Sequence, residues 1–220
     1  MDKKDNMIKD AIILCIITLV LGAVLAGVYM LTKEPIDNAQ KKTNNEACAV
    51  VVKEGDKVQD NDKKAVSGAA TYLKGHDLSN AEVKEDEGGD LLSEYVQINE
   101  VHPTANGGKV YLADALKGYG GKISFALGVD AEGAITGIEI TSQSETAGLG
   151  ANCETDEFKN RFPGVKAPES PSEEMYNKNE TTETQVQALS GATVTSRAIT
   201  RAVKGILFYD ASGKEAGLYE

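Results

Sequence analysis

"KISFALGVDAEGAITGIEITS", residues 122–142, decides what kind of fold this chain builds. Ile123, Phe125, Leu127 and Val129 alternate with smaller or polar residues, the two-residue period of a strand with one buried face. Asp130 to Gly133 supplies a turn, and Ile138 and Ile140 resume the alternation, so the stretch predicts an antiparallel hairpin. Toward the N-terminus, "LLSEYVQINEV" (91–101) and "KVYLADAL" (109–116) carry further β-formers on either side of the turn signal "HPTANGG" (102–108). Toward the C-terminus, "SETAGLGAN" (144–152) reads as a glycine-bearing loop, and "CETDEFKNRFPG" (153–164) as a short amphipathic helix stopped by Pro163 and Gly164. Residues 165–185 are rich in Pro, Ser, Glu, Asn and Thr and predict an exposed excursion of irregular or short β structure. Beyond them Ala198, Ile199, Ala202, Val203, Ile206 and Leu207 form an apolar stripe at helical spacing, with Arg197, Arg201 and Lys204 on the other face. Hairpins with flanking helices make this an α+β domain.

The N-terminal part has a different character. Ala11 to Leu31, "AIILCIITLVLGAVLAGVYML", contains no charge, and about 20 helical residues suffice to cross the hydrocarbon core of a bilayer. A cleavable signal peptide is the competing reading, because Lys3, Lys4 and Lys9 precede the run. Its apolar region would be only about 7–15 residues long and would end in a small-x-small site, which Ala23, Ala26 and Gly27 do not form well. An uncleaved transmembrane helix is expected. The basic residues flanking it are nearly balanced, with Lys33, Lys41 and Lys42 on the far side. The short N-terminal flank tips the expectation toward a cytoplasmic N-terminus and an extracytoplasmic domain. The expected organisation is a flank at 1–10, the span at 11–31, a stalk and linker at 32–65, and the α+β domain at 66–220.

From Lys33 onward the chain holds 20 basic and 31 acidic residues. Such an excess speaks against nucleic acid or an anionic lipid surface as a partner of the domain. "KEDEGGD" (84–90) reads as a solvated turn. Cys15 lies in the span, whereas Cys48 and Cys153 would either pair in an oxidising compartment or remain free; no Cys or His spacing suggests a metal site. His76 and His102 are isolated and read as ordinary surface or loop histidines.

"LSGATVTSRA" (189–198) sets four hydroxyls, Ser190, Thr193, Thr195 and Ser196, around Gly191 and Ala192 in front of the last helix. A structural reading makes Ser190 the helix cap, its oxygen accepting a first-turn amide. A functional reading uses the same end of the helix as an anion site, with small residues admitting a phosphate to the backbone and a threonine hydroxyl beside it. The residues alone leave both readings open.

The stretch resembles the flavinylation motif of the FMN-binding domain family, in which a Ser or Thr precedes Gly-Ala-Thr and the threonine carries FMN through a phosphoester bond. Members occur as the G subunit of the Rnf complex and as the C subunit of the sodium-pumping NADH:quinone oxidoreductase. The resemblance implies that Ser190, Gly191 and Ala192 lead to Thr193 as the attachment residue, with Thr195 the nearest competing hydroxyl. "SETAGLGAN" is similar to the family loop Ser-Glu-Thr-Pro-Gly-Leu-Gly, which implies that Glu145, Thr146, Gly148, Leu149 and Gly150 line the isoalloxazine ring. The order "GYGGKISFALGVDAEGAITGIEI" (118–140) and then the loop is also the family's. Three positions depart from it: Gln187 stands for an Asp, Ala147 for the loop proline and Gln143 for a frequent His.

One anchor followed by one FMN domain resembles the G subunit of the Rnf complex best. That implies an electron-carrying subunit of a membrane complex coupling ferredoxin:NAD electron transfer to movement of Na⁺ or H⁺. Its expected partners are other membrane, flavin and iron–sulfur subunits, membrane lipid around the span, and a flavin transferase for maturation. Independent substrate turnover is not expected. Residues 11–31 contain no Asp, Glu, Lys, Arg or His, so an ion path inside this chain is not expected either. Two alternatives stand beside this reading: a flavinylated domain serving another extracytoplasmic reductase or sensor, and a non-redox membrane-tethered interaction module.

Overall fold

A computed structural model describes residues 3–79, 90–169 and 172–215. "KEDEGGD" lies outside the described residues except for Asp90. By its internal contacts the chain divides at Thr43 and Asn44 into two units.

The first unit is the greater part of helix α1, Lys3–Val51, a long helix that accommodates Pro35 without ending. Among the described residues it is the one helix long and apolar enough to cross a membrane. Its apolar side chains, from Ile12 and Leu14 to Met30 and Leu31, are exposed. They are the composition that lipid satisfies and water does not.

The second unit is built on a four-stranded antiparallel sheet: β1 (Val96–Pro103), β2 (Lys109–Ala115), β3 (Ile123–Val129) and β4 (Ile135–Ser142), in sequential order. Both expected hairpins form. Tyr111 lies opposite Leu127, and Leu127 opposite Ile138, so the alternating residues of three strands share one face. That face holds the main core, where Tyr111, Ile123, Phe125 and Leu127 meet Ile199, Val203 and Ile206 of the last helix. Helix α2 (Lys63–Gly75) joins the same layer through Ala65, Ala69 and Leu73, its start capped by Asp62, which accepts the amides of Lys64 and Ala65. Tyr209 of the last helix donates to the Ala65 carbonyl at 2.6 Å.

The opposite face of the sheet is also covered. The last turns of α1 lay Ala47, Cys48 and Val51 on Val110, Leu112 and Ala126, a second and smaller core. Glycine makes this contact possible: a Cβ on Gly128 would stand 2.1 Å from the Val51 carbonyl oxygen, and one on Gly137 3.2 Å from Val51 Cα. Thr136 donates its hydroxyl to the Val51 carbonyl. Every residue of β2 is therefore buried, as expected of a strand with elements on both faces. Cys48 and Cys153 are both free and belong to different cores.

Two expectations need correction beyond the sheet. "CETDEFKNRFPG" is not one helix: residues Gly150–Glu154 form a 3₁₀ turn, Thr155 interrupts, and α3 is only Asp156–Lys159. Thr155 breaks the run because it adopts an extended backbone and caps the next turn, accepting the Phe158 amide. The excursion 165–185 is not wholly exposed, because part of it covers the polar face of the last helix, α4 (Thr193–Glu215). The segment before β5 (Tyr176–Asn177) lies along it: Arg201 pairs with Glu174, Lys204 donates to the Glu173 carbonyl at 2.8 Å, and Arg197 donates to the Tyr176 hydroxyl at 2.8 Å. Within the 165–185 excursion Val165 and Met175 are buried, and β5 pairs in parallel with β6 (Val186–Gln187).

Among the described residues neither histidine joins a cluster that could hold a metal ion. His76 stacks on Tyr72 with ring centroids 3.9 Å apart, and His102 bridges Glu100 and the Gln59 carbonyl.

Candidate functional site

The turn that precedes α4 is set by Gly191, whose φ of +73° is left-handed backbone that a side chain resists. Ser190 and Gly191 form the turn, and the Ala192 amide closes it on the Leu189 carbonyl at 3.2 Å. The helix then starts at Thr193, not at Ser190. This corrects the expected cap. The turn delays the helix by three residues, and Ser190 is exposed without a hydrogen bond to any described residue. The hydroxyl that ties the turn down belongs to Ser196, which accepts the Leu189 amide at 2.9 Å and donates to the Ala192 carbonyl at 3.0 Å.

The four hydroxyls therefore have separate fates. Ser196 is fully buried and Thr195 is 2% exposed. Thr195 donates to Glu145 Oε2 at 2.5 Å. Thr193 is half-buried, makes no side-chain hydrogen bond with a described residue, and lies in the first turn of α4. Its amide and those of Val194 and Thr195 have no acceptor among the described residues, which leaves the positive end of the helix available.

The loop 143–150 meets this helix start. Thr146 turns the chain by accepting the amides of Leu149 and Ala151, Gly148 sits at φ +75°, and Ala147 in the proline position leaves that turn intact. Glu145 is 8% exposed and accepts Gly120 N at 2.8 Å with its other oxygen, Oε1. Gly150 packs so closely that a Cβ there would stand 2.5 Å from both Glu145 Oε2 and Thr195 Oγ1. The loop 118–121 is drawn in by the same means, since a Cβ on Gly120 would lie 2.0 Å from the Ser144 carbonyl oxygen. The structure thus brings Glu145, Thr146, Leu149, Gly150, Gly191, Ala192 and Thr193 to one cavity of about 360 Å³. Gly148 turns the loop without lining it, and Ser190 lies on the other side.

Thr195 lines the cavity too, and Tyr119 and Val194, neither of them among the expected site residues, complete it. With Leu149 they are exposed at 73%, 51% and 45% respectively, unusual for large apolar side chains gathered at one mouth. The glycine-flanked tyrosine of "GYGG" is the one sequence signal for Tyr119.

A second, more polar cavity of about 730 Å³ adjoins the other side of the turn and includes Ser190, Gly191 and Thr193. Arg161 frames it, donating to the carbonyls of Gln187 and Ala188 at 3.0 and 3.2 Å and to Glu157. Gln187 is held by its own contacts, with Nε2 donating to the Asn179 carbonyl at 2.7 Å. It places a neutral amide side chain at the edge of this cavity.

These residues fit FMN. Unpaired amides and a free hydroxyl at a helix start suit a phosphate, Gly191 brings its backbone close without a side chain, and Tyr119, Leu149 and Val194 offer an apolar surface for a planar ring. Residues 118–207 match the family model of the FMN-binding domain, and residues 1–51 match that of the RnfG N-terminal region. This chain thus contains a region similar to the FMN-binding domain. Among its relatives is the G subunit of the proton-translocating ferredoxin:NAD(+) oxidoreductase complex of Clostridium ljungdahlii, 29% identical over 92% of this chain and 91% of the relative. Another is the G subunit of the Na(+)-translocating ferredoxin:NAD(+) oxidoreductase complex of Acetobacterium woodii, 29% identical over 89% of this chain and 87% of the relative. The G subunit of the ion-translocating oxidoreductase complex of Methanosarcina acetivorans is 26% identical over 95% of this chain and 97% of the relative. A crystal structure of the C subunit of Na(+)-translocating NADH-quinone reductase from Parabacteroides distasonis superposes with a TM-score of 0.38 at 16% identity, covering 67% of this chain and 94% of that one.

Proposed function

We propose that this chain is the FMN-carrying subunit of an Rnf-type complex that couples ferredoxin:NAD electron transfer to ion translocation, with FMN attached to Thr193 through a phosphoester bond. The observation that carries the assignment to Thr193 is the division among the motif hydroxyls. Thr195 and Ser196 are buried and hydrogen-bonded, Ser190 stands outside the helix start, and Thr193 is accessible, unengaged and common to both cavities.

FMN supplies one- and two-electron chemistry when bound. The chain's part is binding and placement. First-turn amides of α4 would hold the phosphate, and Tyr119, Leu149 and Val194 would give the ring an apolar wall. A linkage through phosphate leaves the ring unmodified, so the neighbours of the pocket must set its potential. The same linkage prevents loss of the cofactor, which matters on the extracytoplasmic side where we place the domain.

The helix at 11–31 anchors the chain in the membrane beside its partner subunits, with the N-terminus in the cytoplasm. It contains no Asp, Glu, Lys, Arg or His, so the coupling ion passes through other subunits. A flavin transferase performs the attachment.

Denaturing electrophoresis tests the proposal directly. The full chain, produced with a flavin transferase, should give a band that fluoresces under ultraviolet light, and Thr193→Val should give a dark band. A dark wild-type band removes the proposal, and fluorescence lost only on Thr195→Val relocates the attachment.

A further inference from the structure

Glu145 differs from the other buried acids of the domain. Asp210 is paired with Lys109 at 2.7 Å and Asp114 with Lys122 at 3.0 Å. Glu145, at 8% exposure, has no Lys, Arg or His partner among the described residues. Its two oxygens accept one neutral donor each, Gly120 N at 2.8 Å and Thr195 Oγ1 at 2.5 Å, an acceptor-only pattern that suits the ionised carboxylate. Its own amide is held by Gln143 Oε1 at 2.5 Å. The glycines at 118, 120 and 150 leave no room around it, since a Cβ on Gly118 would stand 2.7 Å from Oε1 and one on Gly150 2.5 Å from Oε2. Three segments of chain, 118–121, 143–150 and the start of α4, are thus packed on one unneutralised charge that lines the cavity with Thr193.

We infer that Glu145 is a charged positioning residue: it fixes the Tyr119 loop and the start of α4 around the flavin pocket, and its unpaired negative charge keeps the flavin at a low potential. Electrons entering the ring bring negative charge toward a carboxylate in a partly dehydrated site, where repulsion is stronger than in water and makes reduction less favourable. The inference rests on the FMN reading above.

Glu145→Gln separates charge from position, because the amide oxygen can accept Gly120 N while the amide nitrogen donates to the Thr195 hydroxyl. Glu145→Ala removes both functions. In the flavinylated full chain, potentiometric titration followed by flavin absorbance should show a higher midpoint potential for Glu145→Gln than for the wild type. Hydrogen exchange at the Gly120 amide should stay as slow as in the wild type for Glu145→Gln and become faster for Glu145→Ala. Equal potentials for wild type and Glu145→Gln overturn the inference. So does a raised potential accompanied by exchange as fast as in Glu145→Ala, because the effect then comes from displacement. Should Glu145→Gln take up no flavin, Thr195→Val decides: it removes a donor and leaves the charge, so its potential should equal or fall below the wild type's, and a rise overturns the inference. A wild-type chain without flavin fails the FMN reading itself, and the exchange measurement on Gly120 remains a separate test of the clamp.

Discussion

Ser196 Oγ accepts the backbone amide of Leu189 at 2.9 Å, seven residues back along the chain, and so closes the turn that presents Thr193. Both residues are buried, which means that no water can replace the bond. Ser196→Ala should destabilise the domain by about 1–3 kcal/mol, the cost of leaving a buried amide unsatisfied. The measurement is a denaturant unfolding curve, and an unchanged midpoint would show that the hydroxyl contributes nothing to the turn.

Two glycines of the site should respond unequally to alanine. At Gly191 the positive φ costs about 1 kcal/mol, and the new methyl meets only Leu149 Cδ2 at 3.2 Å, the movable end of a side chain. At Gly120 the methyl would stand 2.0 Å from a backbone oxygen, which cannot give way without moving the 143–150 loop. Gly120→Ala should therefore cost about 3 kcal/mol or more and lower flavin incorporation more than Gly191→Ala does. Thermal unfolding and band fluorescence of the two variants check the order.

Alkaline stability should report on two buried thiols. Burial pushes Cys48 up to about 11 from an ordinary value of 9.0, with Glu100 adding to it, and Cys153 up to about 12. Above pH 9 the unfolded chain loses these protons while the folded one keeps them, so stability falls with rising pH toward the folded values. Cys48→Ala should lessen that fall between pH 9 and about 11 relative to the wild type. In the folded chain neither thiol should react with iodoacetamide at pH 8, as peptide mass analysis can establish.

At the acid end one sensitive group is Glu174. Burial raises its carboxyl, but the hydrogen bond and charge of Arg201 outweigh burial and leave it below the ordinary 4.5. Its contribution is therefore complete above pH 4.5 and lost as pH falls through the lower folded value. Because the Glu174 side chain is 39% exposed, solvent screening limits the contribution to about 1 kcal/mol or less. Glu174→Gln should be less stable than the wild type near neutral pH and should converge with it in acid, as unfolding curves at the two pH values would show.

The sheet was legible because alternation is a local property: Ile123, Phe125, Leu127 and Val129 announce one face, and the turns at 102–108 and 130–133 fix the order. Most residues of the candidate site were named through motif resemblance, which needs only sequence spacing, and the fold gathers them at one cavity. What lay beyond reach were contacts between segments far apart in the chain. Nothing at Ala47, Cys48 or Val51 announces that this end of a long helix rests on Gly128 and Gly137. The helical stripe of α4 identified its apolar face correctly, yet nothing at Arg197, Arg201 or Lys204 announces their partners, Tyr176, Glu174 and Glu173, which come from an irregular segment without periodicity. The hydroxyl cluster was visible but its roles were not, since a positive φ at Gly191 moves the helix start from Ser190 to Thr193 and passes the tying role to Ser196.

The sequential order of the four strands has a consequence for synthesis. Each strand pairs with the one made just before it, so the sheet from Val96 to Ser142 is available before the last helix has emerged. Helix α4, which begins at Thr193, then docks on a surface that already exists. Thr193 comes late in the synthesis of the domain, and the scaffold around the cavity is older than the residue proposed to carry the cofactor.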